Sequence, residues 1–182
     1  MAAVIVALSV FSIYFIERLN TASEEILKDN YLSIESVNMM IDNLDVIDNS
    51  QAILLSKKQI EKNTSQKEYA EAKENFLKFL KVCEGNITEP GEKEILSKLR
   101  SEFEIYIINV EKVDSSISDL KYVNELIPKY REVKSLCYDI LSINEKGMLM
   151  KNEESRRISK NTEIYMLVVT AACILFVIII II

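Results

Sequence analysis

The sequence predicts an all-α protein: an elongated up-down four-helix bundle between two transmembrane helices, with the first and last helices continuous with the membrane spans. Two observations carry this prediction. The chain of 182 residues begins and ends on long apolar runs, and it contains only three Gly and two Pro to interrupt helices. Between these interruptions apolar residues recur every three or four positions, which is the spacing of helices packed at a shallow angle.

The two apolar runs are predicted to cross a membrane. Residues 164–182 carry no charge, and about 20 apolar residues suffice for a helix to span a bilayer. Residues 1–16 are slightly short for a span and lack the basic leader of a secretory signal. We therefore expect residues 1–16 and 164–182 to be transmembrane helices, the first cut short at residue 1 and the second at residue 182.

The segment between the spans, residues 17–163, is predicted to be one domain on the outer side of the membrane. It holds all 22 basic and all 28 acidic residues, a net charge of -6, which argues against nucleic-acid binding. Basic residues before the second span count against an external domain, but a domain of this length can be translocated despite them. These basic residues are Lys151, Arg156, Arg157 and Lys160, and we expect those in the string "RRISK", residues 156–160, to meet lipid headgroups.

Four helices are predicted, over residues 3–62, 66–85, 89–120 and 127–182, with Pro128 near the start of the last. The apolar spacing assigns core positions along each helix. They are Ile34, Val37, Ile41, Leu44, Gln51 and Leu55; Tyr69, Ala72, Phe76, Phe79, Cys83 and Ile87; Leu96, Leu99, Phe103, Tyr106, Val110, Val113 and Ile117; Tyr130, Val133, Cys137, Ile140 and Asn144.

Capping patterns predict the ends of the middle helices. Ser65, with Glu68 three residues later, forms a capping box that opens the second helix. Gly85 is expected to close that helix in a left-handed conformation. Thr88 is expected to cap the third helix, with Pro90 in the first turn, where proline is tolerated.

The segment offers no catalytic site and is predicted to hold no cofactor. It has no His, which excludes histidine-dependent triads and histidine-ligated metals, and it has no glycine-rich phosphate loop. Cys83 and Cys137 are expected on diagonally opposed helices, so we predict free thiols in the core, since a disulfide needs Cα atoms within about 7 Å.

Polar residues interrupt the apolar seam at Asp48 and Gln51 of the first helix and at Asn144 of the last. Buried polar residues on a seam commonly fix the register of the helices. They also serve as ligand contacts or switches inside a bundle. The register role is favoured, and the sensing role stays open.

Three strings in this sequence resemble a known family. They are "LKDNYLSIESVNMMIDNLDVIDNSQ", "NITEPGEKE" and "LIPKYREVKSLCYDILSINEKGML". In order and spacing they are similar to the extracytoplasmic four-helix-bundle sensor domain of bacterial membrane sensor histidine kinases, of the KinB type, over roughly residues 20–160. The matching signature positions are Asn30, Tyr31, Ser33, Asp48, Ser50, Asn86, Thr88, Pro90, Gly91, Glu92, Pro128, Tyr130, Asn144 and Met148.

The resemblance implies a sensor and transmembrane signalling region of a two-component system. It would detect an extracytoplasmic or envelope signal and pass it through the last helix to a cytoplasmic protein histidine kinase. Implied partners are a second copy in a homodimer, membrane lipid, an unknown extracytoplasmic ligand and a response regulator. The alternative is the ligand-binding region of a methyl-accepting chemotaxis receptor, which has the same layout, and a purely structural membrane tether is a third.

Overall fold

A computed structural model describes residues 2–55, 62–112 and 122–181, with side chains at 12–14, 28–53, 63–112 and 124–179. These residues form α-helices and helix junctions, with no strand among them. The helices are α1 (Ala2–Leu55), α2 (Lys62–Glu84), α3 (Glu92–Glu111) and α4 (Ile127–Ile181), and a π-helical turn, Tyr122–Leu126, precedes α4. The all-helical prediction is confirmed over this part of the chain.

The chain divides into two compact units. The core unit comprises residues 29–147, and the terminal unit comprises residues 1–28 and 148–182.

One hydrophobic cluster fills the core unit, with residues from all four helices. Most seam predictions are confirmed, including Val37 and Leu44, neither of which is exposed at all. The rings of Phe76 and Phe103 stack with centroids 3.8 Å apart, which joins α2 to α3. The prediction for Ile87 is wrong: this residue is 45% exposed, because α2 ends before it at Glu84.

Ion pairs on the surface of the core unit fix which helices are neighbours. Arg100 of α3 makes two hydrogen bonds to the Glu84 carboxylate of α2, of 2.6 and 2.7 Å. Lys73 of α2 contacts Glu111 of α3 at 2.6 Å. Since the lower-numbered residue of α2 pairs with the higher-numbered residue of α3, these two helices run in opposite directions.

Three capping predictions are wrong. Helix α2 begins at Lys62, so Ser65 lies inside it and is buried. Gly85 has no positive φ, because α2 ends with tight backbone hydrogen bonds from Gly85 N–H to the carbonyls of Lys81 and Val82. The left-handed residue is Gly91, with φ of 84°, and it takes the N-cap position predicted for Thr88.

Pro90 consequently precedes α3 and does not lie in its first turn. Pro128 is the second residue of α4, as predicted, although the π-helical turn leads directly into it. The predicted end of the first helix at 62 is wrong, because Lys62 belongs to α2. The predicted end of the third helix at 120, the core positions Val113 and Ile117, and the side chain of Leu55 lie outside the described residues.

The terminal unit contains one helix, among those described, that is long and apolar enough to cross a membrane. Within Asn124–Ile179 an 18-residue window has a mean hydropathy of 2.4, and none of this window is buried. Most large apolar side chains there are exposed, as in Leu167 at 65% and Ile179 at 72%. Beside this helix lies α1, whose Ser12 hydroxyl donates to the Met166 sulfur over 3.9 Å.

Candidate functional site

A group of buried and half-buried residues, all polar except one glycine, lies where the α2–α3 connection meets α1 and α4. We call this group the polar junction. It comprises Asn30 and Ser33 of α1, Asn86, Thr88 and Glu89 of the connection, Glu92 of α3, and Asn144 and Gly147 of α4.

Glu92 is the centre of the polar junction and is completely buried. One carboxylate oxygen, Oε2, accepts the backbone N–H groups of Thr88 and Glu89 at 3.0 and 3.2 Å. The other, Oε1, accepts the side-chain amide of Asn144 at 2.8 Å. The first residue of α3 therefore holds both the connection that precedes it and the opposing helix α4.

Asn30 ties α1 into the same network. Its amide nitrogen donates to Glu89 Oε1 at 2.9 Å and to the backbone carbonyl of Asn144 at 3.2 Å. Asn30 and Asn144 are both fully buried. A buried hydrogen bond is stronger than one in water, and a partner left unpaired there is costly. This pair therefore fixes α1 against α4 at one position.

Asn86 anchors the start of the connection to α1. Its side-chain amide donates to the Asp29 carbonyl at 2.7 Å and to the Ser33 hydroxyl at 2.9 Å. The adjacent Cys83 thiol lies 3.9 Å from the Ser33 carbonyl. Burial, together with the charge of Glu92, raises the pKa of Cys83 to about 12. Both hydrogen bonds of the Asn86 amide thus hold the start of the connection against α1.

Gly147 is where the connection approaches the α4 backbone most closely. A Cβ atom at this position would overlap the carboxylate group of Glu89. Glycine inside a helix costs about 1 kcal/mol relative to alanine. Here the missing side chain makes room for the carboxylate that Asn30 holds from the other side.

Two buried oxygens of the polar junction have no hydrogen-bond partner among the described residues. They are the side-chain oxygen of Asn144 and the hydroxyl oxygen of Thr88. Both belong to residues whose nitrogen atoms donate to Glu92. The junction therefore retains hydrogen-bonding capacity after its protein contacts are made: the Asn144 oxygen can accept a donor, and the Thr88 hydroxyl can accept or donate.

A second polar group joins α1 to α4 on the surface of the core unit. Lys134 donates to both oxygens of Asp45 at 2.7 and 2.8 Å, and the Tyr130 hydroxyl donates to Asp45 at 2.6 Å. Partial burial lowers the pKa of Lys134, but its hydrogen bonds to Asp45 and Tyr130 outweigh this, and the net shift is upward. Burial and the bond to Asp45 raise the pKa of Tyr130.

The structure separates the predicted seam residues. Asn144 belongs to the polar junction, whereas Asp48 and Gln51 lie on α1 about 27 and 32 Å further along the helix axis than Asn30. Gln51 is 7% exposed, and Asp48 is half-buried. No common site brings these three residues together, so any role of Asp48 and Gln51 is separate from that of Asn144.

The signature residues divide in the same way. One group is gathered in or beside the polar junction: Asn30, Ser33, Asn86, Thr88, Gly91 and Glu92. Tyr130 belongs to the surface group with Asp45. Ser50 is buried along α1, Met148 is half-buried in the terminal unit, and Tyr31, Pro90 and Pro128 are exposed.

Sequence reasoning missed Glu89, Asp45 and Lys134. Glu89 precedes Pro90 in a turn, and nothing in its sequence neighbourhood distinguishes it from a solvated acid. The four-residue spacing of Tyr130 and Lys134 places both on one face of α4, which was the one available signal for the surface group.

The described residues bring together no three His, Cys, Asp or Glu side chains that could hold a metal ion. The absence of a cofactor stays a prediction. No family model, curated protein or solved structure matches this chain. The resemblance to sensor histidine kinases therefore depends on the quoted strings alone.

Proposed function

We propose that residues 1–182 are the sensor and transmembrane signalling region of a bacterial two-component sensor histidine kinase. The core unit is the extracytoplasmic part, built as an up-down four-helix bundle. Residues 1–16 and 164–182 cross the plasma membrane, and the first and last helices continue from the bundle into the spans. The signal passes along the last helix to a cytoplasmic kinase further along the full-length protein.

One observation carries the proposal: α4 is a single helix from Ile127 to Ile181. Its first part contributes Val133 and Ile140 to the buried core, and its last part contains the apolar window that could cross a membrane. Because an α-helix is held by hydrogen bonds along its whole length, a shift or rotation at one end is carried toward the other.

The polar junction supports the proposal in a second way. It fastens the α2–α3 connection to both α1 and α4, the two helices that extend beyond the core unit. Six of the fourteen signature residues of the resemblance meet here, which gives these six a common structural purpose; they are Asn30, Ser33, Asn86, Thr88, Glu92 and Asn144. A rearrangement of this network would change how α1 and α4 are held against each other.

The partners follow from this role. The protein acts as a homodimer, since histidine kinases work within dimers, and the helices of two terminal units would together form a four-helix stalk. Lipid headgroups contact the basic residues that precede 164–182. The kinase phosphorylates a response regulator, and an extracytoplasmic ligand of unknown identity supplies the signal.

Phosphorylation of the full-length protein tests the proposed activity. Membranes from cells that produce it are incubated with radiolabelled ATP, and acid-labile, base-stable phosphate on this chain is measured. We expect such labelling, and we expect membranes from cells without the gene to lack it. A full-length protein that inserts normally and takes up no phosphate would rule out the kinase and leave the chemotaxis receptor and the structural tether.

Topology is tested separately by cysteine labelling. Cysteine introduced at Lys78, an exposed residue of α2, is treated in intact cells with a maleimide that cannot cross the membrane. Cys83 and Cys137 are buried, so they contribute little background. Labelling in intact cells supports an extracytoplasmic core unit, and labelling only after lysis contradicts it.

A further inference from the structure

An exposed apolar stripe runs along α1 in the core unit. Leu32, Met39 and Val46 are 41%, 38% and 39% exposed, and each follows the previous one by seven residues. Seven residues make nearly two turns of an α-helix, so the three side chains lie almost in line along one face. A seven-residue apolar repeat is the pattern with which one helix packs along another.

The charged residues that α1 itself places around this stripe are all acidic. Residues 29–55 contain five acidic residues and no Lys or Arg. Glu35 and Asp42, which follow Leu32 and Met39 by three residues, are exposed and make no ion pair with any described residue. Asp45 differs, because Lys134 of α4 neutralises it.

We propose that this acidic stripe, formed by Leu32, Met39, Val46, Glu35 and Asp42, docks an amphipathic helix of a partner protein that carries apolar residues flanked by Lys or Arg. The apolar repeat supplies the packing surface, and the two carboxylates face the basic flanks of the partner. This partner is additional to those of the proposed kinase, and the docking does not depend on that activity.

Charge distinguishes this occupant from the others. Two copies of the same face would place carboxylates opposite carboxylates with no cation between them, and like charges across an interface oppose association. An anionic bilayer surface attracts basic segments and repels acidic ones. A basic helix satisfies both the apolar and the acidic parts of the stripe.

The size of the stripe sets the expected strength. From Leu32 to Val46 it extends about 21 Å along the helix. This corresponds to about four turns of a partner helix and to a small interface of the transient class, typically below about 1,200 Å². Since exposed charges are screened within about 10 Å at 0.1 M salt, binding should weaken as the salt concentration rises.

The test uses two synthetic fluorescent peptides of three heptads each. Both carry Leu at the two seam positions; the flanking positions are Lys in one peptide and Glu in the other. Each is titrated with the complete chain in nanodiscs of zwitterionic lipid, and anisotropy is measured at low and high salt. Empty nanodiscs correct for peptide that binds lipid. Light scattering reports the oligomeric state of the free chain.

Three variants connect binding to the stripe. Glu35→Lys combined with Asp42→Lys reverses its charge, and Met39→Ser removes its central apolar contact. Ile108→Ser is the matched control, because Ile108 is 49% exposed on α3, away from the stripe.

We expect saturable, salt-sensitive binding of the Lys peptide and at least about tenfold weaker binding of the Glu peptide. The double charge reversal should exchange this preference. Met39→Ser should weaken binding several-fold, and Ile108→Ser should leave it unchanged. If Met39→Ser unfolds the chain, the proposal is tested by the double charge reversal alone, which should bind the Glu peptide more tightly than the Lys peptide.

Equal binding of the two peptides, no saturable binding, or equal losses in Met39→Ser and Ile108→Ser would each overturn the proposal. So would a Met39→Ser chain that changes its oligomeric state and still binds the Lys peptide normally, because a second copy would then be the occupant.

Discussion

Replacing Glu92 with Gln tests the polar junction most sharply, because glutamine keeps the shape of the side chain and removes its charge. In the wild-type chain the Glu92 carboxylate accepts three hydrogen bonds, from Thr88 N–H, Glu89 N–H and the Asn144 amide. Glutamine has one oxygen, so its amide nitrogen must face either the connection or the Asn144 amide. Glu92→Gln therefore sets donor against donor on one side of the junction.

The structure gives the size of the expected loss. Hydrogen bonds to a charged group contribute about 1.5–3 kcal/mol each, against about 1 kcal/mol for neutral pairs. With the glutamine nitrogen turned toward Asn144, the substitution removes one such bond and weakens the other two; the opposite orientation would remove two. The lower desolvation cost of a neutral amide offsets part of this loss. A flip of Asn144 would let its oxygen accept from glutamine but would give up its bond to the Ile140 carbonyl. We expect a net loss of about 2 kcal/mol in the free energy of unfolding.

The assay compares Glu92→Gln with Glu94→Gln. Glu94 lies in the same first turn of α3 but is exposed, so its substitution removes the same interaction with the helix dipole and none of the buried bonds. A loss of 2 kcal/mol should lower the Tm by roughly 6–10 °C in circular dichroism, and amide exchange at Thr88 and Glu89 should accelerate. If the two variants agree within about 0.5 kcal/mol and the exchange of these amides is unchanged, Glu92 does not hold the junction.

Three further predictions concern other residues of the core unit. Gly147→Ala should raise the free energy of unfolding by less than the roughly 1 kcal/mol expected from helix propensity, because its Cβ displaces Glu89. The full stabilisation should appear in a Glu89→Ala background. Full stabilisation with Glu89 present would contradict the close approach. Cys83 and Cys137 both have a pKa raised to about 12, so the folded state keeps protons that the unfolded state releases. Stability should therefore fall above about pH 8.5 by up to about 1.4 kcal/mol per pH unit for each thiol; alkaline unfolding curves measure this slope, and an equal slope in the variant with both thiols replaced by Ala would refute it. Asp48→Leu should raise the Tm and leave signalling responsive if Asp48 sets helix register; loss of the response with the fold intact would make it a sensing residue, and a large loss of helicity in circular dichroism would rule out both roles.

The fold could be predicted from sequence because it depends on a repeated, local pattern. The spacing of Val37, Leu44, Phe103 and Ile140 specifies which face of each helix is buried, and all four are in the core. Tertiary packing then decides where each helix ends, which the spacing does not specify.

The helix ends could not be predicted as well, because capping patterns consider only neighbours in sequence. Thr88 was the expected cap of α3, yet the buried Glu92 binds the backbone of Thr88, and Gly91 makes the turn. Glu92 takes this role only because α1 and α4 enclose it. For the same reason Asn144 could be recognised as an unusual polar residue, whereas its partner Glu92 could not.

The central claim is that the last helix carries a signal as a rod whose register matters, and deletions in the terminal unit test this most directly. One residue turns a helix by about 100°, whereas seven residues restore the seam. The measurement is autophosphorylation or reporter expression by the full-length protein in membranes, with and without the inducing condition. Deletion of Asn152 alone should lock or invert the output, and matched deletion of residues 21–27 and 151–157 should preserve a responsive output. A normal response after the single deletion, together with a dead but correctly inserted seven-residue variant, would contradict transmission through α4.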